Sequence, residues 1–179
     1  MKIPAATMTT TPPASETADR HFVISRTFAL PRERLFELWT DRKHLQHWFG
    51  PKGIETMHCT NDLRPGGVMH YAMRTPDENT MWGKWVYREI VAPERLVFVD
   101  SFSDESGGIA RHPFSAGWPL EMLSTVIFDE REGGTAVTVR WASHNATELE
   151  RETFNASHDS MREGWTGTFD RLGDYIAKL

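Results

Sequence analysis

Three ionisable side chains are predicted to face the interior of the folded protein. By the two-residue period of a strand, Arg26 lies on the same face as Phe28. Asp100 shares a face with Phe98, and His158 is the only ionisable residue on the apolar stripe of the C-terminal helix. A buried charge without a partner is costly, so these groups either orient the polar end of a ligand or form a structural Arg–Asp pair beside a solvated histidine. The second interpretation is favoured because buried charges are commonly structural partners.

The other histidines and the cysteine do not form a catalytic or metal-binding pattern. His44 and His47 are three residues apart on one predicted helix and could share a metal, but no nearby Cys or acidic third ligand has a suitable spacing. His58 beside Cys59 is not a nucleophile–base signature in itself, because the fold must position such a pair. The sequence therefore predicts no metal, no cofactor and no catalytic residue.

Length, charge and composition define the class of protein. Of the 179 residues, 39% are hydrophobic and 25% are charged, which predicts one soluble domain. The net charge of −5 argues against a nucleic-acid or anionic-membrane partner. One cysteine, no apolar run of membrane-spanning length and no secretory signal predict a cytoplasmic protein. Residues 1–19 are rich in Thr and Pro and are predicted to be a disordered tail before a single domain, residues 20–179.

Apolar periodicity predicts an α+β fold. A strand at 21–29 precedes two short helices, the first opened by Pro31 and the second spanning 42–48. Six more strands are predicted at 54–63, 68–74, 81–91, 95–102, 120–128 and 135–143. A long amphipathic helix then spans 147–179, where Thr147 and Glu150 have the spacing of a capping box. Short connections make the strands antiparallel, and the sheet is expected to curve around the long helix.

Several short segments resemble a known family. They include Phe36-Glu37-Leu38-Trp39-Thr40-Asp41, His47-Trp48-Phe49-Gly50-Pro51 and Asp62-Leu63-Arg64-Pro65-Gly66-Gly67. In this order they resemble the START-like (SRPBCC) superfamily, and within it the group named for the activator of the ninety-kilodalton heat-shock protein's ATPase. The resemblance covers residues 21–178. It implies a helix-grip fold, a curved antiparallel sheet wrapped around the C-terminal helix with a cavity between them.

Strand parity and the helical stripe predict which side chains line that cavity. Seven Trp and eight Met in one domain suit a pocket for a small hydrophobic, aromatic or polycyclic ligand. The same residues could instead fill a core. The predicted lining comprises Met69, Tyr71, Met73, Trp85, Tyr87, Phe98, Trp118, Met122, Trp141, His158, Met161, Trp165 and Phe169, with Arg26 and Asp100 as polar candidates.

The segment 103–119 is long for a connection between strands and carries apolar residues. It is therefore predicted to be either a lid over the cavity or a contact with another subunit of a homodimer. Two functions remain open: binding of a small hydrophobic molecule, or a protein-interaction domain that acts on a chaperone as the co-chaperone activators do. A cyclase or hydrolase, which the superfamily also contains, has no catalytic constellation to support it.

Overall fold

The computed structural model describes residues 20–179, so the predicted disordered tail lies outside the described residues. The elements in chain order are β1 (Phe22–Phe28), α1 (Arg32–Thr40), α2 (Arg42–Trp48), β2 (Glu55–Asn61), β3 (Val68–Arg74), β4 (Thr80–Val91), β5 (Arg95–Ser103), β6 (Glu121–Arg131), β7 (Gly134–His144), α3 (Glu148–Ala156) and α4 (His158–Ile176). The strands form one antiparallel sheet in the order β1-β7-β6-β5-β4-β3-β2. The predicted α+β helix-grip fold is confirmed.

Alternation along the central strands buries one face of the sheet. In β6 every second residue from Met122 to Phe128 is buried, and in β4 the buried series is Gly83, Trp85 and Tyr87. A bulge between Tyr87 and Glu89 shifts the register of β4 against β5. Bulges bend a strand and increase its twist, which helps the sheet to curve around a helix.

The β6–β7 hairpin is tighter than the sequence predicts. The expected loop at 129–134 is mostly strand, because β6 continues to Arg131 and β7 begins at Gly134. Gly133 has a φ of 83°, a left-handed conformation that glycine adopts without steric cost.

The C-terminal segment forms two helices rather than the single helix predicted. The predicted capping box is present: the Thr147 hydroxyl accepts from the Glu150 N–H at 3.3 Å, and the Glu150 carboxylate accepts from the Thr147 N–H at 2.9 Å. The break falls at Ser157, whose ψ is 7° and whose hydroxyl donates to the Thr153 carbonyl at 2.7 Å. Serine competes in this way with the backbone hydrogen bonds of a helix.

Helix α4 lies against the buried face of the sheet and completes the core. Trp165 stacks on Trp39 of α1, with ring centroids 6.0 Å apart, and Phe169 packs edge-on against Phe28 at 5.8 Å. Trp165 also meets Trp141 of β7 edge-on, with ring centroids 5.4 Å apart. Trp165 therefore contacts both the filled part of the core and the cavity described below.

Candidate functional site

A cavity of about 360 Å³ lies between the sheet, α4 and the loop that follows β5. Its volume falls within the range of roughly 300–1,000 Å³ that is typical of small-molecule pockets. Ten of the residues predicted for the lining are on its wall: Tyr71, Met73, Trp85, Phe98, Asp100, Trp118, Met122, Trp141, Met161 and Trp165. Helix α4, strands β3 to β7 and the loop after β5 thus bring these side chains together.

Five residues of the predicted set lie away from the cavity. Met69, Tyr87 and Phe169 are completely buried in the packed core, and the Tyr87 hydroxyl donates to Asn61 Oδ1 at 3.0 Å. The His158 ring packs against Phe22, with centroids 5.8 Å apart. These four side chains point inward as predicted. They lie where neighbouring side chains pack closely around them, and so they do not reach the cavity.

Arg26 is the fifth of these residues, and its partner differs from the structural pair predicted. Its guanidinium donates to Asp170 of α4 at 2.7 Å and lies 5.5 Å from the centre of the Phe169 ring. The long side chain leaves the apolar interior and reaches an ion pair that is one-third exposed. Asp100 is therefore not neutralised by Arg26, contrary to the Arg–Asp pairing considered above.

Aromatic rings form most of the cavity wall in a fixed arrangement. Trp85 and Phe98 on adjacent strands stack with centroids 4.1 Å apart. Phe49 meets Trp85 edge-on at 5.0 Å and Tyr71 edge-on at 5.2 Å. Offset-stacked and edge-to-face pairs are the favoured geometries of aromatic contacts, so these rings hold one another in place.

The position of the Tyr71 ring depends on a glycine in the neighbouring strand. A Cβ at Gly83 would lie 2.4 Å from the Tyr71 hydroxyl oxygen, and therefore the ring can cross β4 only because Gly83 has no side chain. Burial raises the pKa of Tyr71 above its ordinary value, so its hydroxyl is neutral across the physiological range.

The connection between α2 and β2 supplies part of the wall that the sequence did not reveal. Phe49, Gly50 and Pro51 line the cavity. Arg171 of α4 donates to the carbonyls of these three residues at 3.0–3.3 Å, and to the His47 carbonyl at 3.3 Å. A cationic side chain that satisfies the free carbonyls after a helix is a common device for fixing the chain that leaves it. Arg171 thus holds this wall against α4.

Asp100 is the polar centre of the cavity. It is 7% exposed, and its Oδ2 accepts a hydrogen bond from the Ser124 hydroxyl at 2.5 Å. Burial raises the pKa of Asp100 to about 7, although the hydrogen bond from Ser124 opposes this shift. Within residues 20–179 no Lys, Arg or His side chain forms an ion pair with this carboxyl group.

The loop at 104–120 covers one side of the cavity. His112 and Trp118 line the cavity, and the Trp118 ring packs against Phe154 of α3 with centroids 5.9 Å apart. Arg111 donates to the Glu150 carboxylate at 2.7 Å, which fastens the loop to the start of α3. Burial lowers the pKa of His112, so its ring is neutral at pH 7. The predicted role as a lid or as a subunit contact stays a prediction.

One group of possible metal ligands lies outside the cavity. Ligand atoms of Glu37, Asp41 and His44 lie within 4.8 Å of one another. The prediction that no acidic residue near His44 has a suitable spacing is therefore wrong, because the turn between α1 and α2 brings Glu37 back beside Asp41, the N-cap of α2. Its members already have protein partners: His44 Nδ1 lies 2.7 Å from the Tyr175 hydroxyl, and Asp41 accepts from the Lys43 N–H at 2.9 Å. Across residues 20–179, no helix has the length and apolar character needed to cross a membrane.

Solved structures of other proteins resemble the fold described above. A protein in a crystal structure from Nitrosomonas europaea is 24% identical, with a TM-score of 0.70, and the match covers 88% of this chain and 94% of that one. A protein from Mycobacterium smegmatis is 25% identical, with a TM-score of 0.67 and coverage of 86% and 88%. The AHSA1 protein of Silicibacter pomeroyi is 18% identical, with a TM-score of 0.66 and coverage of 88% and 98%. These likenesses support the fold.

The family itself is shown by the sequence. No curated protein matches the chain at a significant level. The family model described as "Activator of Hsp90 ATPase homolog 1-like protein" matches residues 29–177, which covers most of the chain and every element from α1 to α4. The chain therefore belongs to the Activator of Hsp90 ATPase homolog 1-like family.

Proposed function

We propose that this protein binds a small hydrophobic molecule, with an aromatic or polycyclic body, in the cavity between the sheet and α4. The observation that carries the proposal is the 360 Å³ cavity itself, which is walled by aromatic and methionine side chains. Removing apolar surface from water contributes about 25 cal/mol per Å² toward binding, against the entropic cost of association, and flat rings match flat ligands. Binding, rather than catalysis, is the activity that this wall supports best.

A glycine on α4 offers a direct way to block the cavity. Gly164 lies on the cavity wall, and a Cβ placed there would meet no heavy atom within 4 Å. A leucine at this position has room to extend and also favours the helix more than glycine does. We therefore expect Gly164→Leu to fold normally and to occupy part of the cavity.

Gly173 provides the matched control on the same helix. A Cβ at Gly173 also meets no heavy atom within 4 Å, but Gly173 is not part of the cavity wall. Gly173→Leu therefore reproduces the change in helix propensity and surface without filling the cavity.

The test uses N-phenyl-1-naphthylamine, an uncharged apolar dye whose fluorescence rises in an apolar site. The wild type should bind the dye and transfer tryptophan excitation to it. Gly164→Leu should weaken binding about tenfold, equivalent to ~1.4 kcal/mol, while Gly173→Leu should bind as the wild type does. Failure of the folded wild type to bind the dye would overturn the proposal and favour the protein-interaction function. Equal binding by both variants would place the dye elsewhere.

A further inference from the structure

The carboxyl group of Asp100 has an unused face toward the cavity. One oxygen, Oδ2, accepts from Ser124, whereas no hydrogen bond to Oδ1 is formed by any residue of the described chain. The unpartnered polar atoms that are fully enclosed by protein do not include Oδ1, so part of its surface is open. Because Asp100 lines the cavity, this open surface is available to a ligand there. A carboxylate in an apolar environment gains most from a cation, because its interaction with one is strong where water is excluded.

Within residues 20–179, no Lys or Arg side chain lines the rest of the wall. The Arg171 guanidinium lies behind the wall, where its charge is directed at the carbonyls of Phe49, Gly50 and Pro51. The other two titratable residues on the wall are His112 and Tyr71, and burial opposes the charged form of each, since it lowers the pKa of His112 and raises that of Tyr71. The wall is therefore neutral or negative, which disfavours anionic ligands such as fatty acids or aromatic carboxylates.

Aromatic residues are neighbours of Asp100 in the sheet and on the cavity wall. In the sheet register Asp100 lies opposite Trp85 on one side and Met122 on the other, and Phe98 and Phe102 share its strand and the cavity wall. The face of an aromatic ring attracts cations through its quadrupole, and tryptophan does so most strongly. A carboxylate set among such rings combines the two features with which proteins recognise organic ammonium ions.

We propose that the ligand is a lipophilic organic cation, whose protonated amine contacts Asp100 while its aromatic or polycyclic body packs against Trp85, Phe98 and the other cavity rings. This inference rests on the proposed function, since it requires that the cavity binds a ligand. It adds the chemical class: a secondary, tertiary or primary amine attached to an apolar ring system.

The test compares three ligands of similar shape and different charge. At pH 8, 1-naphthylmethylamine, uncharged 1-ethylnaphthalene and anionic 1-naphthylacetate each compete with N-phenyl-1-naphthylamine for the wild type. The amine should bind about tenfold tighter than the uncharged analogue, and the anion should bind weakest. If the uncharged analogue or the anion binds as tightly as the amine, the inference is overturned and apolar ligand binding still stands. If the dye itself does not bind, the proposed function fails first.

Two variants assign the preference to the carboxylate. Asp100→Asn keeps the shape and removes the charge, so it should lower the affinity for the amine to that for 1-ethylnaphthalene and leave the uncharged analogue unaffected. Ser124→Ala keeps the carboxyl group but removes the hydroxyl whose hydrogen bond lowers its pKa, so at pH 8 it should reduce the preference for the amine without abolishing it. An amine preference that persists in Asp100→Asn would overturn the role of Asp100. The wild-type comparison decides the ligand class even if a variant fails to fold.

Discussion

The buried carboxyl group of Asp100 should make the stability of the protein fall as the pH rises through the acidic range. Burial raises its pKa from 3.8 to about 7 in the folded protein. Between these values the folded state binds a proton that the unfolded state has lost, so the free energy of unfolding decreases with increasing pH. The decrease begins near pH 4 and is complete just above pH 7.

The size of the effect follows from the difference between the two pKa values. At about 1.36 kcal/mol per pKa unit, ionising this group in the folded protein costs roughly 4 kcal/mol above pH 7. Asp100→Asn removes the titrating group and preserves the shape of the side chain. The free energy of unfolding of the variant, relative to that of the wild type, should therefore increase by about 4 kcal/mol from pH 4 to pH 8.

Urea denaturation followed by tryptophan fluorescence at half-unit pH intervals measures this difference. Because other groups titrate in both proteins, the informative quantity is the wild type minus Asp100→Asn at each pH. Asp174→Asn, which changes an exposed carboxylate on α4, should stay within about 1 kcal/mol of the wild type throughout. A difference between the wild type and Asp100→Asn that varies by less than ~1 kcal/mol from pH 4 to pH 8 would refute the reasoning.

Two further substitutions test how the cavity wall is positioned. Gly83→Ala places a methyl group 2.4 Å from the Tyr71 hydroxyl position, so the ring must move, and we expect a loss of about 1–3 kcal/mol in denaturation experiments. A stability equal to that of the wild type would show that the ring can move without cost. Arg171→Ala removes a donor that four backbone carbonyls share, and those of His47 and Gly50 have no other donor among the hydrogen bonds of the described residues, so the change should lower stability by about 2 kcal/mol and weaken dye binding. Arg88→Ala, at an exposed arginine, is its control, and equal effects of the two changes would contradict this role of Arg171.

Strand periodicity predicted the face of the sheet on which each side chain lies, but not its depth along the strand. Trp85 and Tyr87 have the same parity in β4, yet Trp85 reaches the cavity while Tyr87 is enclosed in the packed core. Parity depends only on local geometry. Whether an inward side chain meets open space depends on which helix residues oppose it, and this is a property of the whole fold.

Strand periodicity also failed to predict the partners of the polar residues. Parity placed Arg26 and Asp100 on the concave face, and their pairing was the simplest expectation. The choice of Asp170 as the partner of Arg26 depends on the crossing of α4 over β1, which local sequence does not encode. The wall at Phe49 was also missed, because the path of the α2–β2 connection is set by Arg171, over a hundred residues later in the chain.

The Glu150 carboxylate joins two structural elements whose motions are therefore linked. One oxygen accepts from the N–H of Thr147 at the start of α3, and the other accepts from Arg111 in the loop over the cavity. These contacts hold the pKa of Glu150 below its ordinary value, so protonation in acid weakens both of them together. Because both contacts depend on the same carboxylate, we expect unfolding of the first turn of α3 to favour release of the loop, and the reverse. Under the proposed function, with this loop as the predicted lid, the rate of ligand entry should follow the amide exchange of the first turn of α3.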